Sequence, residues 1–187
     1  MNTGLVALWM PIVLSAVIVF VMSSIIHMAT PWHKNDYLTL PNEDAVANAL
    51  RGLNIPPGDY MLPHAASMDE MKSEAFKEKM NKGPVFMATF MPAGTMNMGQ
   101  TMGIWFVYSL VVSAIAAYVA HKALPWGTGY GGVFRIVGVV GFCCYGMALA
   151  QFSIWYKRNW MTTARSMIDS LIYGALMAGT FGWLWPK

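Results

Sequence analysis

Charge is scarce in this chain. Of its 187 residues only 11% are Asp, Glu, Lys or Arg, against about 25% in ordinary soluble domains. Four apolar runs, Leu5–Ile26, Met102–Ala120, Val133–Ile154 and Ser166–Leu184, carry no charge through their middles. Each reaches the ~20 mostly apolar residues that a membrane-crossing helix needs. A net charge of +3 with no basic run argues against nucleic acid as a partner. Cysteine is nearly absent. Cys143 and Cys144 are adjacent, so on a helix they point about 100° apart and form neither an ordinary bridge nor a ligand pair.

Catalytic motifs are missing too. There is no Gly-x-Ser-x-Gly, no His-Glu-x-x-His and no phosphate-binding glycine loop. The Gly-rich turn Trp126-Gly127-Thr128-Gly129-Tyr130-Gly131-Gly132 lacks the lysine of a P-loop. The absence of Cys-x-x-Cys-His excludes c-type haem. His27 ends the first span and His121 ends the second at the opposite side, roughly 30 Å apart across a bilayer core, so one b-type haem cannot join them. The chain is therefore expected to be no enzyme and to bind no cofactor.

What is present is a topology. The fold expected is an all-α membrane protein: four transmembrane helices with a small α+β extramembrane cap between helices one and two. Residues 1–27 make the first helix, 28–101 the cap, and 102–187 helices two to four. The start, Met1-Asn2-Thr3-Gly4, lacks the positive n-region of a secretory signal, and the first span is read as a retained helix despite Pro11. The eight tryptophans fit this layout. Trp9, Trp126, Trp183 and Trp185 fall at one interface, and Trp32, Trp105, Trp155 and Trp160 at the other. Lys34, Lys82, Lys157, Arg158 and Arg165 gather on the cap side, against Lys122, Arg135 and Lys187 opposite. The positive-inside rule thus turns the cap toward the cytoplasm.

Within the cap, Asn42 precedes Glu43-Asp44 as a helix start. Ser67-Met68-Asp69-Glu70 is a capping box opening a helix that runs to Gly83-Pro84. Val85–Met91 reads as a strand pairing with Asp59–Leu62. Such a cap is too small to build a large core alone. The acids from Asp36 to Glu78 read mostly as caps and solvated faces.

Three constellations remain. Nine of the 17 methionines lie between Met61 and Met102. Met96, Met98 and Met102 precede the second span, with His64, His27 and His33 on the same side. Thioether and imidazole ligands suit Cu(I), whereas the plain reading is adaptable packing. Asp169, the single acid within a span, stands one turn after Arg165 and is expected to pair with it near the headgroups. Finally, Ser170, Gly174, Ala178 and Gly182 form a small-residue ladder on the fourth helix, and Ser109, Ser113 and Ala117 another on the second. These ladders serve packing inside the bundle or docking of another subunit.

The stretch His33-Lys34-x-Asp36-Tyr37-x-x-Leu40-Pro41-x-Glu43-Asp44-Ala45-Val46, with Ala49-Leu50-Arg51, Pro56-Pro57-Gly58-Asp59-Tyr60-Met61-x-Pro63 and the C-terminal Ala178–Pro186, resembles a family of small bacterial membrane proteins without an assigned activity. The resemblance implies a four-helix protein of the bacterial inner membrane and brings no catalytic residues with it. The reading expected first is a non-catalytic accessory or scaffold subunit of a larger complex, respiratory or photosynthetic. It would contact other membrane subunits through the fourth helix or the cap, together with lipids. The alternative is a Cu(I)-binding, metal-handling membrane protein.

Overall fold

A computed structural model of the protein describes residues 4–187; the charge-free start Met1–Thr3 lies outside them. The chain runs α1 (Trp9–Ser24), α2 (Glu43–Gly52), β1 (Gly58–Leu62), α3 (Met68–Lys72), α4 (Glu74–Lys82), β2 (Phe86–Phe90), α5 (Met98–Ala123), α6 (Tyr130–Tyr145), α7 (Ala150–Tyr156) and α8 (Trp160–Leu184). It divides into two compact units. One holds the chain up to Tyr37 and from Asn97 onward, and the other is Leu38–Met96.

The first unit contains four helical stretches long and apolar enough to cross a membrane: Leu5–Ala29, Met98–Ala123, Tyr130–Tyr156 and Trp160–Leu184. Their ends follow local chemistry. A 3-10 turn, Leu5–Leu8, precedes α1, so Pro11 falls in the first α-helical turn. There its missing N–H is no loss. The Pro11 carbonyl accepts from Ser15 Oγ at 2.6 Å. Asn97 caps α5 by accepting from Gln100 N, and Asn159 caps α8 by accepting from Met161 N.

The third apolar run is not one straight helix. It breaks at Gly146 into a 3-10 turn, Met147–Leu149, before α7. α8 lies close at the break, where a Cβ on Gly146 would lie 2.6 Å from Ser170 Cβ.

Small residues set the spacing of α6 and α8. A Cβ on Gly141 would lie 2.9 Å from Gly174 Cα, and one on Gly174 would lie 3.0 Å from the Gly138 carbonyl. Ser170, Gly174 and Ala178 thus pack against Gly146, Gly141 and Gly138, while Gly182 meets the Tyr130 ring. On α5, Ser109, Ser113 and Ala117 are fully buried. Ser113 Oγ lies 3.1 Å from Ser15 Oγ and 3.7 Å from Met177 Sδ, which links α5 to α1 and α8. Without a hydrophobic force between helices in lipid, such close approach and polar pairing are what hold a membrane bundle. Phe181, Met177, Val133 and Val137 fill the space between.

The second unit is a two-stranded antiparallel sheet with three short helices. Asp59 stands opposite Thr89, whose hydroxyl donates to the Asp59 carboxylate at 2.6 Å. The strands match the pairing expected from sequence. Two helix details differ. Asn42 adopts a left-handed conformation (φ 53°) and makes no side-chain cap. The helix opened by Ser67 stops at Lys72, because Ser73 turns extended and caps a new helix by accepting from Phe76 N. None of the three helices buries a residue, in keeping with a segment too small to build a core alone.

Candidate metal site and adjoining cleft

The polar residues of the first unit converge at one end of its helices. The geometry begins with the exit of α1. After Ser24 the helix widens into a π turn, Ile25–Ala29, which carries His27. Such widened turns often mark functional positions. Thr30 then turns extended, as a residue before proline must, and its hydroxyl returns to the Ile26 carbonyl at 2.6 Å. Pro31 ends the helix. Two turn hydrogen bonds, Lys34 N to Pro31 O and Asp36 N to His33 O, fold the chain back on itself. His33 and Asp36 are thereby carried to the side of α8.

There His33 lies between two carboxylates. Its Nδ1 is 2.6 Å from Asp36 Oδ2, and its Nε2 is 2.7 Å from Asp169 Oδ2. Arg165 Nη1 donates to Asp36 Oδ1 at 2.8 Å. The Asp36 and Asp169 side chains are only 7% and 5% exposed. Burial pushes the Asp36 carboxyl up, but the hydrogen bonds and charges of His33 and Arg165 outweigh it and hold Asp36 below its ordinary value. The Arg165–Asp169 pair expected from helical spacing is thus replaced. Arg165 reaches Asp36, and Asp169 takes His33 instead. Asp36 is a buried partner rather than a solvated acid.

His27 completes the group. Its ring stacks on that of His33, with centroids 4.4 Å apart. Its Nδ1 lies 3.0 Å from the Ser23 carbonyl, which places the Nδ1 proton there and leaves Nε2 free. One donor atom from each of His27, His33 and Asp169 lies within 4.8 Å of the others. Asp169 Oδ1 is buried and finds no hydrogen-bond partner among the described residues.

This is a donor set for a cation. Each histidine has its Nδ1 held by an oxygen, a backbone carbonyl for His27 and a carboxylate for His33. That outer contact would fix the tautomer and leave Nε2 for a metal, which for His33 would stand in place of its direct contact with Asp169. In a tetrahedral zinc site with bonds of about 2.0–2.2 Å, neighbouring ligand atoms stand about 3.3–3.5 Å apart. The three donor atoms, within 4.8 Å of one another, would need only small shifts to reach that spacing.

His27 and Asp169 also line a cleft of about 820 Å3 between α1, α5, α6 and α8, whose wall includes Trp105, Tyr145 and Tyr173. Met98 and Met102 lie at its edge. Met96 and His64 belong to the second unit, where both are exposed. The sequence held one pointer to this site, an acid inside an apolar span. The fold-back that delivers His33 to it, 136 positions away, has no such local signature. No family model, curated protein or solved structure matches this chain.

Proposed function

We propose that this chain is a multi-pass membrane protein that binds a divalent transition-metal ion between His27, His33 and Asp169. One observation carries the reading. Two histidines with anchored Nδ1 atoms present Nε2 beside a buried carboxylate whose second oxygen is unpaired. An unsatisfied buried group of this kind costs about 1–3 kcal/mol, and a cation relieves it. Imidazole and carboxylate donors suit Zn2+ or Fe2+, while thioethers suit Cu(I). The metal-handling reading therefore moves from the methionines to this N/O set. Four apolar helices support the multi-pass placement. The bacterial inner membrane and a cytoplasmic cap side complete the proposal, from the resemblance and the lysine and arginine distribution.

The test is metal uptake. Chelator-stripped protein in detergent should take up one equivalent of Zn2+, and His33→Gln or Asp169→Asn should weaken binding at least about a hundredfold. Circular dichroism confirms that the variants keep their helix content. If no tight site is found, the cluster is a structural clamp in which His33 joins two carboxylates.

An accessory role in a larger assembly is tested by mild-detergent extraction from native membranes. Co-migration with a large complex would support it. Because Ser170, Gly174 and Ala178 are engaged with α6, the docking face would lie elsewhere on the chain.

A further inference from the structure

We infer that the cleft beside this site binds an uncharged amphiphile with a hydroxyl-bearing head and a hydrocarbon body. The inference shares Asp169 with the metal reading but stands on two tyrosines, so it survives if the site holds no metal.

Three buried polar atoms have no partner in hydrogen-bonding geometry among the described residues: Asp169 Oδ1, Tyr173 Oη and Tyr145 Oη, although the Ser109 hydroxyl lies near the last. All three residues line the same cleft. Tyr173 is one turn along α8 from Asp169, and the rings of Tyr145 and Tyr173 are 5.5 Å apart. The residues are 4%, 9% and 4% exposed. Buried polar groups are nearly always paired, so three orphans on residues that line one cleft point to a complementary ligand that these side chains turn to meet.

The chemistry of that ligand follows from what each orphan needs. In the metal-free protein Asp169 Oδ1 needs a donor. Each phenol needs an acceptor for its hydrogen. A hydroxyl supplies both, since it donates once and accepts twice. A carbonyl accepts from the tyrosines but leaves Asp169 unserved. An ammonium serves Asp169 but leaves both phenol hydrogens unpaired. A carboxylate or phosphate head is repelled by Asp169, and no Lys or Arg lines the cleft to offset it. A hydroxyl head therefore satisfies the set and the other heads do not.

The body is set by the rest of the wall. Ile104, Leu149, Met98 and Met102 present apolar surface, and Trp105 and Tyr108 stack at 5.5 Å along it. Ile104 and Met98 are among the exposed apolar residues of the unit, so the cleft opens sideways onto the apolar surface that the spans present. A hydrocarbon chain enters from there without crossing water. The volume lies in the range of about 300–1,000 Å3 typical of small-molecule sites.

The experiment is photolabelling of the full, chelator-stripped chain in lipid nanodiscs with a diazirine-bearing long-chain primary alcohol. Unlabelled long-chain alcohol, its methyl ether and the matched amine serve as competitors. The expected result is labelling of peptides from α5, α6 and α8. The alcohol should displace the probe at least about tenfold better than the ether or the amine, as loss of one buried hydrogen bond implies. The Tyr145→Phe/Tyr173→Phe double variant should lose about tenfold or more in apparent affinity while keeping its Zn2+ uptake. His33→Gln, which removes a metal donor, should still label. Equal competition by the ether on the unmodified chain would overturn the inference, as would stronger competition by the amine. Labelling unchanged in the double variant would do the same. Loss of Zn2+ uptake alone, with labelling intact, would sink the metal reading and leave this one standing.

Discussion

The Nε2 atom of His33 lies 2.7 Å from Oδ2 of Asp169, although 136 positions separate the two residues. The contact joins the segment leaving the first apolar helix to the middle of the last. It also places an imidazole beside one of the few ionisable groups within the apolar helices. An acid within a helix apolar enough to cross a membrane would be expensive to keep there, and such acids are retained where they bind or relay something.

Asp36 acts on the site through His33. Its carboxylate accepts from His33 Nδ1 at 2.6 Å and so fixes which nitrogen faces Asp169. Asp36→Asn keeps the shape but replaces the charged acceptor. Zinc affinity, measured by competition with a chromophoric chelator, should fall about 10–100-fold. Unchanged affinity would remove Asp36 from the site.

Arg165 supports Asp36 rather than Asp169. Its side chain is 24% exposed, so solvent weakens the pair. Arg165→Gln should nonetheless cost about 1–3 kcal/mol, because it leaves a buried carboxylate short of one donor. Thermal unfolding in detergent reads this as a lowered Tm. Arg165→Lys should recover part of the loss, since it restores charge without the planar fork. An Arg165→Gln variant as stable as the parent would show that the pair contributes nothing.

The contact of α6 with α8 depends on glycine. Gly174→Ala would bring a Cβ to 3.0 Å from both the Gly138 carbonyl and the Phe142 nitrogen, and backbone cannot yield as a side chain does. The expected cost is about 1–3 kcal/mol. Gly103, on α5, has nothing within 4 Å of its would-be Cβ. Gly103→Ala should therefore be neutral or stabilising by up to about 1 kcal/mol. Equal effects at the two positions would contradict the packing described.

The methionines before α5 are not donors in this site. Met96→Leu/Met98→Leu should leave zinc uptake unchanged, as read by elemental analysis of the purified protein. A loss of bound metal in that variant would return the chemistry to the thioethers.

Much of the architecture was legible in the sequence because apolar length, capping residues and strand alternation are local signals. The four spans, the Ser67 capping box and the pairing of Asp59–Leu62 with the strand near residue 88 all rest on such signals. The break at Gly146 was not legible, since it answers to Ser170 on a different helix. The split at Ser73 carried a faint mark, a serine followed by Glu74, which an uninterrupted apolar spacing conceals. At the site, spacing suggested Arg165 with Asp169, an ordinary i,i+4 pair. The observed partners arise because Pro31 and two turn hydrogen bonds fold His33 and Asp36 back onto α8. Local spacing carries no information about such a return.

X-ray absorption at the zinc edge of the metal-loaded protein tests the central claim most directly. Zinc held by His27, His33 and Asp169 gives a first shell of nitrogen and oxygen alone, at about 2.0–2.2 Å, with imidazole outer-shell scattering from two histidines that falls to one in His33→Gln. A sulfur shell near about 2.3 Å, or a spectrum unchanged in His33→Gln, would contradict it.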